Sequence, residues 1–239
     1  MTSIEWTEKT WNPVTGCTRV SAGCKFCYAE RMAKRLQAMG QPNYANGFEV
    51  TCHEHMLRVP LKRKKPTMYF VVSMGDLFHE AVPDAFLQRV FDVMRETPRH
   101  TYQVLTKRPE RMAHFANTVL APGWPANVWA GTSIEDYKVA RRILPLKTVP
   151  AVVRFLSCEP LLGPIGSINL SGIHWVICGG ESGPGARPMD LMWARDLRDH
   201  CVESDTPYFF KQWGGVNKKA TGRMLDGRTW NEMPEVTHD

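Results

Sequence analysis

The stretch Trp11-Asn-Pro-Val-Thr-Gly-Cys17-Thr-Arg-Val-Ser-Ala-Gly-Cys24-Lys-Phe-Cys27-Tyr28 decides the reading of this chain, because three cysteines fall within eleven residues and run straight into an amphipathic segment. The last two have the C-x2-C spacing that lets neighbouring thiolates converge on one centre. The six residues after Cys17 include Ser21 and Gly23, and with Gly16 before them they let the loop fold back. Three thiolates so placed are ligands rather than cross-links, and they leave one ligand position open.

Composition agrees with that chemistry. The seven cysteines of the 239-residue chain come with no charged and apolar leader pattern over residues 1–21, which points to a reducing cytoplasm. No apolar run approaches the ~20 residues that cross a bilayer, so no membrane partner is expected. A formal net charge of +6 suits an anionic partner such as nucleic acid or a nucleotide.

An incomplete thiolate set can hold a 4Fe-4S cluster by three irons, and the remaining iron can chelate the amino and carboxyl groups of S-adenosylmethionine. Gly23-Cys24-Lys25-Phe26-Cys27-Tyr28 resembles the cluster loop of radical S-adenosylmethionine enzymes. The usual spacing there is C-x3-C-x2-C, and six residues separate the first pair here, as in divergent members. From Trp11 to Trp213 the chain resembles a three-cysteine-motif family of unknown function found in phages and bacteria, distantly similar to spore photoproduct lyase. A zinc site completed by Cys52, His53 or His55 is the rival reading of the same residues.

Short apolar runs alternate with helical patterns. Strands are expected at 68–73, 101–105, 127–130, 152–157, 174–178 and 207–211, with a first short one between Ile4 and Asn12. Helices are expected over 28–39, over 85–96 capped by Asp84, over 109–117, over 135–144 ending before Pro145, and over 191–202 capped by Asp190. This rhythm fits either a doubly wound α/β sheet or a partial (β/α)6–7 TIM-like barrel. The resemblance implies the barrel. Residues 1–215 then form it, with 41–66 as a connecting insertion carrying Lys62-Arg63-Lys64-Lys65 and 216–239 as a polar tail on the same domain.

Function in such folds collects at the carboxyl ends of strands. The tips read Ser73-Met-Gly75-Asp76-Leu-Phe-His79, Thr106-Lys107-Arg108, Gly131-Thr132-Ser133, Ser157-Cys158-Glu159, Gly179-Gly180-Glu181 through Arg187, and Lys211-Gln-Trp213. The resemblance implies that Cys17, Cys24 and Cys27 hold the metal, and that Tyr28, Ser73, Gly75, Asp76, Thr132 and Ser133 meet the cofactor; Gly179 and Gly180, which let the backbone approach a ligand closely, are expected to lie against it too. Cys158, Glu181 and Lys211 are the candidate catalytic residues, Cys158 as a hydrogen-atom donor. Lys107 and Arg108 suit an anionic group, and His79 a ligand or a satisfied neighbour. The expected partners are an electron donor such as flavodoxin or ferredoxin, and a substrate nucleobase in DNA or RNA, or a nucleotide.

Overall fold

The computed structural model describes residues 4–235, without the side chains of Lys218 and Lys219. In chain order the elements are β1 (Lys9–Trp11), β2 (Val14–Thr15), α1 (Tyr28–Ala38), β3 (Thr51–Cys52), α2 (Arg58–Lys62), β4 (Met68–Val71), α3 (Asp84–Glu96), β5 (Thr101–Thr106), α4 (Pro109–His114), β6 (Val128–Ser133), α5 (Ile143–Thr148), β7 (Arg154–Cys158), β8 (Trp175–Gly179), α6 (Leu191–Glu203), β9 (Tyr208–Gln212) and α7 (Lys218–Thr221). Seven of the strands form one sheet in the order β1-β4-β5-β6-β7-β8-β9, every pair parallel. The order never reverses. A doubly wound sheet needs a reversal to put helices on both faces, so a monotonic order with crossovers of one hand leaves one face for the helices and curls the other inward.

Side-chain alternation sorts two cores accordingly. Tyr69, Val71, Tyr102, Val104, Val128, Ala130, Leu156, Val176, Tyr208 and Phe210 pack outward against helix residues such as Phe86, Leu87, Val90, Phe91 and Leu197. Phe70, Trp129, Phe155, Trp175, Ile177 and Phe209 point the other way and pack with Trp6. The ring of Trp6 lies 4.8 Å from that of Phe70 on β4 and 6.1 Å from that of Trp175 on β8. Those strands are four steps apart, which in a flat sheet means about 19 Å. One indole reaches both only because the sheet is rolled into a half-barrel, with aromatic side chains as its floor.

Several local expectations shift. Pro83 caps α3, and Asp84 is its first residue, paired with Arg111 at 2.9 Å. Pro145 does not end a helix. A 3₁₀ stretch over Tyr137–Arg142 passes into α5, whose first turn holds the proline where its missing N–H costs nothing. Asp190 does cap α6, accepting from the Met192 N–H at 2.7 Å. The insertion is not structureless: β3 pairs antiparallel with β2, and α2 follows it. No helix bridges β7 and β8; buried Leu161, Ile165, Ile168, Leu170 and Ile173 cover that part of the sheet instead. The described part of the tail packs onto β9, with Leu225 fully buried, Trp230 stacked edge-on to Tyr208, and the Phe210 N–H bonded to the Trp230 carbonyl at 3.0 Å. Residues 236–239 of that tail lie outside the described residues.

Gly131 shows how tightly the interior is filled. A Cβ there would lie 2.4 Å from Cζ of Phe155, whose ring is held by Trp175 at 5.8 Å. Gly131→Ala is therefore expected to cost about 1–3 kcal/mol, and Phe155→Leu in the same chain to recover part of it. Urea unfolding of the two single variants and the double measures this, and full additivity would rule out the contact as the cause.

Candidate functional site at the carboxyl mouth

The three cysteines and the strand tips line one pocket of about 280 Å³, which includes Cys17, Cys24, Cys27, Ser133, Glu159, Glu181 and Lys211. Cys17 follows β2, Cys24 closes a 3₁₀ turn over Ala22–Cys24, and Cys27 occupies the N-cap position of α1. The loop between them has little secondary structure, and the strand tips hold it in place piece by piece.

The second tip grips its start. The Gly16 N–H donates to the Met74 carbonyl at 2.9 Å, and a Cβ on Gly75 would lie 2.6 Å from the Gly16 carbonyl oxygen. Gly75 is thus required for backbone packing against the cysteine loop. The Ser73 hydroxyl donates to Asn12 Oδ1 at 3.2 Å, and its carbonyl accepts from the Tyr28 hydroxyl at 2.6 Å. Val72, which lines the pocket, takes φ +60°, a costly conformation for a β-branched residue.

Asp76 is buried and fully engaged. One oxygen accepts from the Phe78 N–H and the Thr106 hydroxyl (3.0 and 2.7 Å), the other from the Lys107 N–H and Arg108 Nη1 (3.1 and 3.2 Å). Its lone pairs serve the protein, which removes it as a direct cofactor ligand. Arg108 is the hub of this corner. Beyond Asp76 it donates Nε to Glu80 (2.9 Å), Nη2 to the Thr18 hydroxyl (2.9 Å) and Nη1 to Cys17 Sγ (3.4 Å). Burial works against the guanidinium, but Asp76, Cys17 and Glu80 outweigh it and raise its pKa. Arg108 is therefore neither solvated nor free for a substrate anion. His79 accepts the Ala81 N–H on Nδ1, so Nε2 donates to Thr18 at 2.8 Å, and burial keeps the ring below its ordinary pKa.

The fourth tip supplies a residue that the sequence reading passed over. Glu135, 1% exposed, accepts from the Ser21 hydroxyl at 2.6 Å and from Arg142 at 3.0 Å, with Lys107 Nζ 3.8 Å away. A Cβ on Gly23 would meet its side chain at 2.5 Å. Thr132 is fully buried and donates to the Thr106 carbonyl at 2.9 Å, so it serves the sheet, while Ser133 lines the pocket. On β7, Cys158 faces outward into the core with Cys178 and Cys201. That corrects its candidacy as a hydrogen donor, because the alternation turns it away from the pocket and burial lifts its thiol far above the ordinary range. The next residue, Glu159, faces the pocket and pairs with Lys211 at 2.8 Å, accepting also from the Ser157 hydroxyl.

The sixth tip closes the ring. Glu181 takes three bonds from Arg187 (2.6 to 3.0 Å), which overcome the upward push of burial and lower its pKa. Arg187 donates in turn to the Ala22 carbonyl at 3.0 Å and lies over the Phe26 ring. The pair therefore sits beside the cysteine loop. The glycines here answer to neighbouring backbone: a Cβ on Gly180 would lie 2.0 Å from the Trp213 carbonyl oxygen, and one on Gly179 2.9 Å from Glu159.

A signal for the missed carboxylates was present. The inward alternation Trp129, Gly131, Ser133 continues to Glu135, and Phe155, Ser157 continues to Glu159. Of the zinc reading's extra ligands, His53 has its Nε2 hydrogen-bonded to the Thr15 hydroxyl at 2.8 Å, and among the described residues no three His, Cys, Asp or Glu side chains stand grouped for a single ion. A cubane cluster asks for something else, thiolates that stand around it with each on its own iron. Three cysteines lining one pocket, with the Arg108 guanidinium against one sulfur to balance negative charge, fit that group.

Fold and site together define a parallel half-barrel α/β protein with three cysteines lining a pocket at its carboxyl mouth. The family model described as "Protein of unknown function (DUF5131)" matches residues 1–234, and the chain belongs to that family. No curated protein matches. Among solved structures, a spore photoproduct lyase variant with bound AdoMet and dinucleoside spore photoproduct is similar at 9% identity and a TM-score of 0.48, over 81% of this chain and 61% of that one. A second lyase variant aligns at 10% identity and a TM-score of 0.46, over 85% of this chain and 64% of that one. The chain spans less than two thirds of the length of either.

Burial, with Asp76 adding and Arg108 opposing, pushes the Cys17 thiol up to about 11. In metal-free protein at pH 8, Cys17 should therefore alkylate roughly a hundredfold more slowly than a cysteine in an unstructured peptide. Peptide mapping after timed iodoacetamide treatment measures it, and a peptide-like rate would contradict the site geometry.

Proposed function

We propose that this protein is a radical S-adenosylmethionine enzyme acting on a nucleobase in DNA or RNA, or on a nucleotide, with electrons from a carrier such as flavodoxin or ferredoxin. The observation that carries the reading is the convergence of Cys17, Cys24 and Cys27 with the polar strand tips on one pocket whose floor is aromatic. Cys17, Cys24 and Cys27 would hold a 4Fe-4S cluster. When bound, that group supplies one electron to S-adenosylmethionine, whose carbon–sulfur bond breaks to give methionine and a 5′-deoxyadenosyl radical that takes a hydrogen atom from substrate.

The chain's own residues do the rest. Arg108 donates to the Cys17 sulfur and favours its deprotonated form, and Asp76 and Glu80 hold Arg108 to that task. Glu135 and Arg187 fix the loop between Cys17 and Cys24 through Ser21 and Ala22. Trp6 and Phe70 at the floor exclude water, which protects a reactive carbon radical. The Glu159–Lys211 pair and Lys107 face the pocket and are placed to orient a substrate. Ser133 and Gly180 line the same wall, where the cofactor would lie.

Anaerobically reconstituted protein should be brown. With dithionite and S-adenosylmethionine it should release methionine and 5′-deoxyadenosine, detected by chromatography. Alanine at Cys17, Cys24 or Cys27 should abolish both products and the colour. Lys211→Ala should leave the cluster absorption intact while lowering turnover. A fully loaded protein that yields no 5′-deoxyadenosine, with nucleic acids and nucleotides supplied, would sink the reading.

A further inference from the structure

A second concavity lies at the opposite end of the sheet from the cysteines. It is a groove of about 710 Å³ lined by Lys9, Thr10, Val59, Lys62, Arg63, Lys64, Lys65 and Tyr69. Lys9 and Tyr69 are paired at the amino ends of β1 and β4, with side chains on the outer face, beside the end of α2. The lining contains five cations and no carboxylate. Lys9, Lys62, Lys64 and Lys65 are exposed, and among the described residues none of the four has an ion-pair partner.

The groove's shape is built into the fold. Arg99 donates Nε to the Arg63 carbonyl at 2.9 Å and Nη2 to that of Leu61 at 3.2 Å, while His100 Nε2 reaches the Pro60 and Arg63 carbonyls at 3.2 and 3.1 Å. These bonds pin the backbone of 60–63 down, so the lysine ammonium groups project from a fixed ledge. One oxygen of the neighbouring Glu8 carboxylate accepts the Met68 N–H at 2.8 Å, which turns it toward the β4 backbone. A row of unpaired cations along a concave wall matches a rod of phosphates, whereas a membrane surface asks for a flat or convex face.

We infer that this groove binds the sugar–phosphate backbone of a nucleic-acid polymer, so that the mouth receives a base within a strand and not a free nucleotide. The second half of that statement rests on the proposed function; the first half does not. Gly16 at the cysteine loop lies seven residue steps beyond Lys9, at most about 23 Å of extended chain. That is roughly seven phosphate steps of a B-form strand, a reach a polymer has and a mononucleotide lacks. The sheet is open between β1 and β9, so a strand held at the β1 edge has a path to the mouth.

The test is fluorescence anisotropy with a labelled single strand and a labelled duplex over about 50 to 200 mM salt. Wild type is compared with the triple variant Lys62→Gln, Lys64→Gln, Lys65→Gln and with a control triple, Lys34→Gln, Arg35→Gln, Lys138→Gln, all checked for unchanged thermal unfolding. The groove variant should bind more weakly, with its log–log salt slope reduced by about 2 to 3, at 0.7–0.9 per phosphate contact; the control should keep the wild-type slope. Excess mononucleotide should not displace the strand. Equal losses in both triples, binding only to anionic vesicles, or displacement by the mononucleotide would overturn the inference. 5′-Deoxyadenosine release by the groove variant without nucleic acid is measured in parallel. It should equal that of wild type, so failure of the groove and failure of the radical chemistry are read separately.

Discussion

Buried carboxylates at the strand tips, each locked to a cation, are the constraint on which the rest of the site depends. The cysteine loop has no sheet and only one short turn of its own, so its position is borrowed from Asp76–Arg108, Glu135–Arg142 and Glu181–Arg187. Burying such pairs stabilises little, because the desolvation of both charges offsets their attraction, whereas removing one partner costs about 3–5 kcal/mol. Their value here is positional. Each pair spends its spare hydrogen bonds on a different part of the loop: Thr18 and the Cys17 sulfur, Ser21, or Ala22.

The same pairs need a rigid platform, and the aromatic floor provides it. Trp6 ties β4 to β8 across the concave face, and Trp175 touches Trp129, Phe155 and Phe209 on three other strands. Rings in edge-on contact fill the curl without voids and fix how far it closes. Were the sheet flatter, the second and sixth tips would separate, and Tyr28–Ser73 on one side and Arg187–Ala22 on the other could not hold one loop. Sheet curvature, set by apolar packing, thus determines the geometry of a polar site.

Much of this was legible in the chain. The cysteine spacing marks the site, and the strand rhythm places its walls, since buried parallel strands read as apolar runs. Periodicity alone did not separate half-barrel from doubly wound sheet, because strand order is a long-range property that local periodicity does not encode; the resemblance carried by the cysteine loop chose the half-barrel, and the monotonic strand order agrees. The division between inward and outward tip residues was legible in principle. Cys158 and Glu159 are adjacent, both lie at a strand end, and a period of two sends one into the core and the other into the pocket. The glycine-rich tip misled for a different reason. Gly180 and Gly214 are needed where two backbones touch, and from sequence that need looks the same as a need to touch a ligand.

Two populations of cations follow from this arrangement, and they differ in what they can do. Arg108, Arg142 and Arg187 are paired, buried or half-buried, and held at several nitrogens, so they can place an atom to within tenths of an ångström but have no charge left for a partner. The lysines at 62, 64 and 65 are exposed and long, with full charge and little orientation, which suits a repeating anion bound through many weak contacts. Because the site's own charges cancel in pairs, the chain's positive excess is left to the surface. The basic groove concentrates that excess on the β1 edge, where the half-barrel stays open.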